Sequence, residues 1–365
     1  MAARLTEVWG MARPRPESSL STVDGLRAVA VLGVVLWHCA PAPTTAYALG
    51  ERGVDLFFVI SGFCLSHAIL RRRAAGEDAR LHWPTFMRAR ARRILPPYFA
   101  MLLILGALSL TAFGIPGVQG GWPHDGLLQY LGYFFFLYKD PMSPQLNAAL
   151  WTLALEVRWY LYFPFVLALY LRSKWAFGAL MVLLYCSYQW GLVMPDIGVL
   201  PCFMLGIVAA DLTIRDKVHS PWYGVAAIAL IGAAVAQQLL TGDLDHGDIL
   251  WHFAVFFAVL AGIRWGSVIL ASPILTTIGA ASYGIYLIHT PFANLMRAYH
   301  FTSVAAFAVS VAIGLAFWRW IERPATAWAS KRLGVAQPHS MVAASDPSVD
   351  SSVALRLKPD PIPAP

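Results

Sequence analysis

The chain has 365 residues, of which 58% are hydrophobic and only 13% are charged, and its formal net charge is +7. In soluble domains about a quarter of the residues are charged. This composition therefore excludes an ordinary soluble globular protein and indicates a membrane protein. The basic residues cluster beside apolar runs, where membrane topology and anionic lipid account for them, so we expect lipid and no nucleic acid as a partner.

Apolar runs of the length needed to cross a bilayer recur along almost the whole chain. We therefore predict an all-α, polytopic membrane helix bundle with about ten transmembrane helices. The candidate spans lie near residues 23–40, 53–70, 94–114, 150–171, 175–193, 197–212, 222–240, 249–266, 274–296 and 302–321. A shorter apolar stretch at 127–138 is interpreted as a re-entrant or interfacial segment, because a run of about 10–14 residues is too short for an ordinary span.

The distribution of Lys and Arg predicts the orientation of these spans. If 127–138 does not cross, the arginine-rich loop 71–93 and the later basic loops all fall on the side of the N-terminus, whereas 115–126 and 241–248 contain neither Lys nor Arg. Loops rich in Lys and Arg stay in the cytoplasm, so we predict that both termini are cytoplasmic and that the protein lies in the cytoplasmic (inner) membrane.

This topology divides the chain into three parts. Residues 1–21 are predicted to form a cytoplasmic N-terminal segment, and 22–328 the transmembrane domain. Residues 329–365 are rich in Pro, Ser and Ala and low in bulky apolar residues, so we predict a disordered cytoplasmic tail.

The first apolar run contains an arginine and a histidine, Arg27 and His38, eleven positions apart. Eleven residues make about three helical turns, so the two side chains share one helix face with an axial rise of ~16 Å. Asp24 falls on the same stripe. Ionisable groups cost several kcal/mol in hydrocarbon unless they face an internal cavity, so the stripe predicts a functional site.

Other ionisable residues are predicted to lie at the outer ends of later spans. Asp55 begins the second span, Glu156 shares a helix face with Tyr160 in the fourth, and His289 follows Ser282 by seven positions on one face of the ninth. Each has a structural alternative. Asp55 is also placed to cap its helix, Glu156 to be neutralised by Arg158 or by another helix, and His289 to be a buried structural histidine.

At the predicted cytoplasmic edge, Arg92 and Arg93 precede the proline pair of the third span. They are candidates for binding phosphate, with membrane anchoring as the alternative. Trp151 stands about one and a half turns before Glu156 and is a candidate substrate contact, with a place in the interfacial aromatic belt as the alternative. The four cysteines stand singly, so we expect neither a metal site nor a disulfide framework.

Six segments together resemble the successive motifs of the acyltransferase-3 family of integral membrane acyltransferases, in the family's order over residues 20–328. They are VDGLRAVAVLGVVLWH, GVDLFFVISGF, RARRILPPYF, LWTLALEVRWYLYFP, SYGIYLIHTPF and IERPATAW.

The resemblance implies roles for residues at matching positions. Arg27 and His38 match the family's Arg-x10-His pair, Asp55 the acidic residue of its second-helix motif, and Arg92 and Arg93 its basic pair. Trp151 and Glu156 match its Trp-Ser-Leu-x-x-Glu motif. This chain departs from that motif, because Thr152 replaces the usual serine and Val157 a common second glutamate.

Together these features predict a membrane acyltransferase that moves an acyl group, expected to be acetyl, from cytoplasmic acyl-CoA to a hydroxyl of an extracytoplasmic or membrane-associated acceptor, expected to be a carbohydrate. Arg27, Arg92 and Arg93 would bind the CoA phosphates. His38 would act as general base, oriented by Asp55 or Glu156, and His289 would assist. Trp151, Tyr160 and Ser282 would contact substrate. The alternative is a proton-coupled exporter or flippase in which the same residues relay protons.

Overall fold

The computed structural model describes residues 18–40, 49–77, 79, 81–111, 126–137, 147–192, 195–215, 222–242 and 248–332. Every regular element within these ranges is a helix, which confirms the all-α class. The helices of eight or more residues are α1 (Ser18–Cys39), α2 (Gly53–Ala74), α3 (Trp83–Thr111), α4 (Gly126–Tyr133), α5 (Leu150–Arg172), α6 (Lys174–Gln189), α7 (Leu200–Ile214), α8 (Trp222–Thr241), α9 (Ile249–Trp265), α10 (Pro273–Ala280), α11 (Ser282–Ala298), α12 (Ser303–Phe317) and α13 (Arg323–Arg332). Two single-turn helices lie at Pro195–Gly198 and Ser267–Leu270.

Within the part of the chain that the structure describes, six stretches of helix are long and apolar enough to cross a membrane. They are Ser21–Cys39, Leu49–Ala74, Trp83–Leu108, Leu150–Arg172, Trp222–Thr241 and Ser303–Arg332. The shorter apolar helices Leu200–Ile214 and Ile249–Trp265 coincide with two more of the predicted spans. The chain is thus a multi-helix membrane protein, and the number ten and the orientation stay predictions.

Three predicted boundaries differ from the structure. Helix α3 begins at Trp83, so the arginines that the sequence placed before the third span lie inside a helix that continues through Pro96 and Pro97. The ninth predicted span is two helices, separated at Ala281. The tenth continues past 321 to Arg332 through a π-helical turn at 318–322.

This continuation makes residues 329–332 of the predicted tail helical. The remainder of that tail and residues 1–17 of the predicted N-terminal segment lie outside the described residues. Helix α4 covers most of the short apolar stretch at 127–138. Its eight residues rise only about 12 Å, too little to cross a bilayer. It packs on α3, where the Tyr98 hydroxyl donates to the Tyr133 carbonyl at 2.7 Å.

Helices α2 and α7 approach each other so closely that only glycine fits at their crossing. A Cβ on Gly62 would lie 2.0 Å from the carbonyl oxygen of Phe203, and one on Gly206 would lie 2.2 Å from that of Val59. Small residues let helix backbones approach in this way in membrane proteins. The contact holds α2 and α7 as one rigid unit beside the site described below.

Charged side chains join the ends of three helices. Asp211 accepts a hydrogen bond from Arg215 at 2.9 Å and one from the Tyr170 hydroxyl at 2.8 Å, and the Lys174 ammonium lies 3.7 Å away. The end of α5, the start of α6 and the end of α7 therefore meet at one end of the bundle.

Candidate active site

A cavity lies between α1, α2, α3, α5, α7 and α11, and it encloses about 810 Å³ of space with its open mouth included. Along α2 it extends from Val54 to Leu65, an axial rise of about 16 Å. Its polar lining consists of Arg27, Ser61, Arg90, Arg93, Thr152, Glu156, Tyr160, Ser282, Tyr283 and Tyr286. Five of the predicted site residues, Arg27, Arg93, Glu156, Tyr160 and Ser282, are in that set.

One end of the cavity carries three arginines, Arg27, Arg90 and Arg93. Ser282 holds Arg27 in place, because its Oγ accepts from Arg27 Nη2 at 2.9 Å and lies 3.2 Å from Arg27 Nε. The break in the helical chain at Ala281 puts Ser282 at the first turn of α11, directly against α1. Three fixed cations around one cavity are suited to bind an anion such as phosphate.

The structure places the two arginines of the predicted pair, Arg92 and Arg93, differently. Arg93 lines the cavity, whereas Arg92 is buried with 4% exposure and is not among the lining residues. The second arginine of α3 in the cavity is Arg90. Positions three apart share a helix face and adjacent positions differ by about 100°, so Arg90 and Arg93 point together and Arg92 points elsewhere.

Glu156 is the acidic residue of the cavity. Its Oε1 accepts a short hydrogen bond from the Tyr160 hydroxyl and lies 3.5 Å from Ser61 Oγ. Electrostatic attraction couples it to the arginines of the cavity. Glu156 is therefore partnered inside the arginine-lined cavity, and these contacts favour the alternative that it offsets basic charge.

The other end of the cavity is formed by hydroxyl groups and aromatic rings. Thr152 Oγ1 lies 2.7 Å from the Tyr286 hydroxyl oxygen, and the Tyr286 ring meets Phe57 edge-on with 5.9 Å between centroids. Thr152 occupies the position where the family motif has serine, so the hydroxyl is retained and bonds to α11. Tyr286 marks the limit of the cavity.

Two histidines meet just beyond Tyr286. The rings of His38 and His289 are 5.0 Å apart, and the ring of Tyr286 lies 5.5 Å from that of His289. Neither histidine lines the cavity. His38 is half-buried and faces a fully buried partner, so its ring points into the bundle and away from lipid.

The contacts of His289 define its tautomer. Its Nδ1 lies 2.9 Å from the Tyr286 carbonyl oxygen, which can only accept, so Nδ1 carries the proton. In the neutral ring, Nε2 is then the acceptor for the Thr290 hydroxyl, whose oxygen lies 3.1 Å away. These two contacts fix the His289 ring beside His38.

Asp55 is fully buried, and its carboxylate forms an ion pair with Arg52 at 3.4 Å. Arg52 also reaches Gln238 Oε1 at 3.5 Å and stacks over Trp251 at 5.0 Å. Asp55 is not among the cavity-lining residues, and it lies in the first turn of α2, where its charge also favours the helix N-terminus. These contacts support a structural role at the helix start, and the predicted role in orienting His38 gains no support from them.

Trp151 also lies outside the cavity lining and packs, half-buried, against the main hydrophobic core. The structure adds residues that the sequence analysis did not single out as site residues. They are Arg90, Ser61, Cys64, Tyr283 and Tyr286. Ser61 and Cys64 share a face of α2 at a spacing of three, and Tyr286 follows Ser282 at a spacing of four, so helical periodicity was the available signal.

The fold and the site together define a helical membrane protein with an arginine-lined internal chamber and a histidine pair beyond one end of it. The sequence profile of the acyltransferase-3 family, described as an acyltransferase domain, matches residues 20–322. The chain belongs to this family.

Two curated relatives are named as O-acetyltransferases. The "Putative O-acetyltransferase SACOL0978" of Staphylococcus aureus (strain COL) is 24% identical over 357 residues, which cover 83% of this chain and 56% of the relative. The O-acetyltransferase OatA of Staphylococcus aureus (strain NCTC 8325 / PS 47) is 24% identical over 321 residues, which cover 77% of this chain and 52% of OatA. The chain spans about half the length of these relatives. No solved structure matches it.

Proposed function

We propose that this protein transfers an acetyl group from cytoplasmic acetyl-CoA to a hydroxyl of a carbohydrate acceptor at or beyond the outer face of the cytoplasmic membrane. The observation that carries the proposal is the order of groups along the chamber. Three arginines lie at one end, and the paired rings of His38 and His289 lie just past the other. This order suits a donor that is anionic at one end and reactive at the other.

In this scheme Arg27, Arg90 and Arg93 bind the phosphates of CoA, because guanidinium groups hold phosphate by bidentate, permanently charged hydrogen bonds. The pantetheine chain extends along α2 toward Tyr286. Arg27 and His38 share a face of α1 about 16 Å apart along the axis, so the same helix supports both ends of the donor.

His38 acts as general base. It takes the proton of the acceptor hydroxyl while that oxygen bonds to the thioester carbonyl carbon. The carbon–sulfur bond then breaks, and the departing sulfur receives the proton, which yields the acetyl ester and free CoA thiol. His289, fixed by the Tyr286 carbonyl and Thr290, orients the His38 ring. Transfer through a transient acetyl-imidazole on His38 balances in the same way.

The test uses the purified protein in liposomes with acetyl-CoA carrying 14C in the acetyl group. We expect thiol release and alkali-labile label in added surface polysaccharide. His38→Ala should abolish both, whereas His82→Ala, which removes an exposed histidine bonded to Thr85, should retain them. Transport driven by a proton gradient without thiol release would refute the proposal and favour the exporter.

A further inference from the structure

Aromatic rings form one side of the chamber. Phe57, Phe58 and Phe203 all line the cavity, and Phe57 meets Tyr286, the ring beside His289, edge-on with 5.9 Å between centroids. The rings of Phe58 and Phe203 are 4.7 Å apart, and Phe203 also stacks on Trp159 at 4.7 Å. Phe203 and Trp159 are fully buried, so this aromatic wall is continuous with the protein core.

The wall has little freedom to move. Phe58 and Phe203 lie on α2 and α7, whose backbones touch at Gly62 and Gly206. The Phe203 carbonyl oxygen lies only 2.0 Å from the position of a Cβ on Gly62, so α7 cannot approach much further. Close-packed interiors resist added volume, because extra methylenes force side chains off their rotamers.

We infer that the aromatic wall of Phe57, Phe58 and Phe203 limits the length of the acyl group that the protein transfers. The inference rests on the proposed function, since it takes the thioester to lie at the histidine end of the chamber. With the CoA phosphates on the arginines, the acyl group extends from the thioester toward these rings. An acetyl group fits before the wall, and each further methylene meets a fixed ring.

The test compares acetyl-CoA with butanoyl-CoA as donors in liposomes, with kcat/KM measured by thiol release. The native protein should prefer acetyl-CoA by at least about tenfold, the lower range for a pocket that discriminates by one or two methylenes. Phe203→Leu and Phe57→Leu should each reduce that preference by about threefold or more by improving butanoyl transfer.

Phe63→Leu is the matched control. Phe63 is a fully buried aromatic residue of α2, stacks on His67, and does not line the cavity. Its replacement should leave the acetyl-to-butanoyl ratio unchanged. Equal use of both donors by the native protein, or an unchanged ratio in both wall variants, would overturn the inference while the proposed function stands. Absence of thiol release with either donor would refute the proposed function, and this inference with it.

Discussion

Replacing one cavity arginine tests the assignment of the donor-binding end. Arg90→Gln and Arg93→Gln each remove one permanent charge from the chamber and leave a shorter polar side chain. A hydrogen bond to a charged group contributes about 1.5–3 kcal/mol. At about 1.36 kcal/mol for each factor of ten, the loss of one such bond lowers kcat/KM for acetyl-CoA by about 10- to 150-fold. The loss should appear mainly as a higher KM, because the arginines bind the donor far from the reacting carbon.

The assay is thiol release against acetyl-CoA concentration, repeated at low and high salt. Arg88→Gln is the control, because Arg88 is exposed on the same helix and bonds to the carbonyl of Pro84 at 3.3 Å. Arg92→Gln distinguishes between two roles of Arg92, a structural role and donor binding. The geometry predicts an effect on stability with KM unchanged, whereas the family's basic pair predicts a higher KM. A normal KM in Arg90→Gln together with a raised KM in Arg92→Gln would refute the cavity assignment.

Three further predictions follow from other contacts. Gly206→Ala should lower the melting temperature in detergent by several degrees, because overpacking costs about 1–3 kcal/mol. Gly178→Ala should leave it unchanged, because a Cβ there meets open space. Equal melting temperatures of the two variants would contradict the α2–α7 contact. Alkylation of Cys64 by N-ethylmaleimide, followed by peptide mass spectrometry, should slow in the presence of CoA, while that of Cys186 outside the cavity stays constant; equal slowing at both would contradict the placement. Ser282→Ala should lower kcat/KM by about 2- to 12-fold, the value of a hydrogen bond of 0.5–1.5 kcal/mol, and native kinetics would show that Arg27 needs no support.

Helical periodicity was sufficient to predict which side chains share a face of one helix. The spacing of Arg27 and His38 placed them on one face of α1, and the structure confirms that Arg27 lines the cavity while His38 faces the bundle interior. The apolar runs likewise predicted where helices form. Both features depend only on neighbours along the chain, so the sequence contains them.

Contacts between helices were harder to predict from the sequence. The same periodicity indicates that Arg90 and Arg93 share a face, but which face meets the cavity depends on how α3 packs against its neighbours. Asp55 was predicted to orient His38, and in the structure its carboxylate forms an ion pair with Arg52 at 3.4 Å. Because the two residues are three positions apart, spacing along the helix is sufficient to indicate this pair.

The break at Ala281 was missed for another reason. The residues from 274 to 296 are apolar enough to read as one span, with no proline at the point of interruption. The chain nevertheless changes helix there, and the new start puts Ser282 on Arg27. A hydrogen bond between positions 255 residues apart leaves no local trace in the sequence.

The position of Tyr286 makes its side chain a barrier inside the bundle. Its ring lies between the arginine-lined cavity and the histidines, with the hydroxyl 2.7 Å from Thr152 Oγ1 and the ring edge-on to Phe57. Under the proposed function, the thioester therefore reaches His38 only when the Tyr286 side chain turns away from these two contacts. A conformational step of one phenol ring then precedes each acetyl transfer.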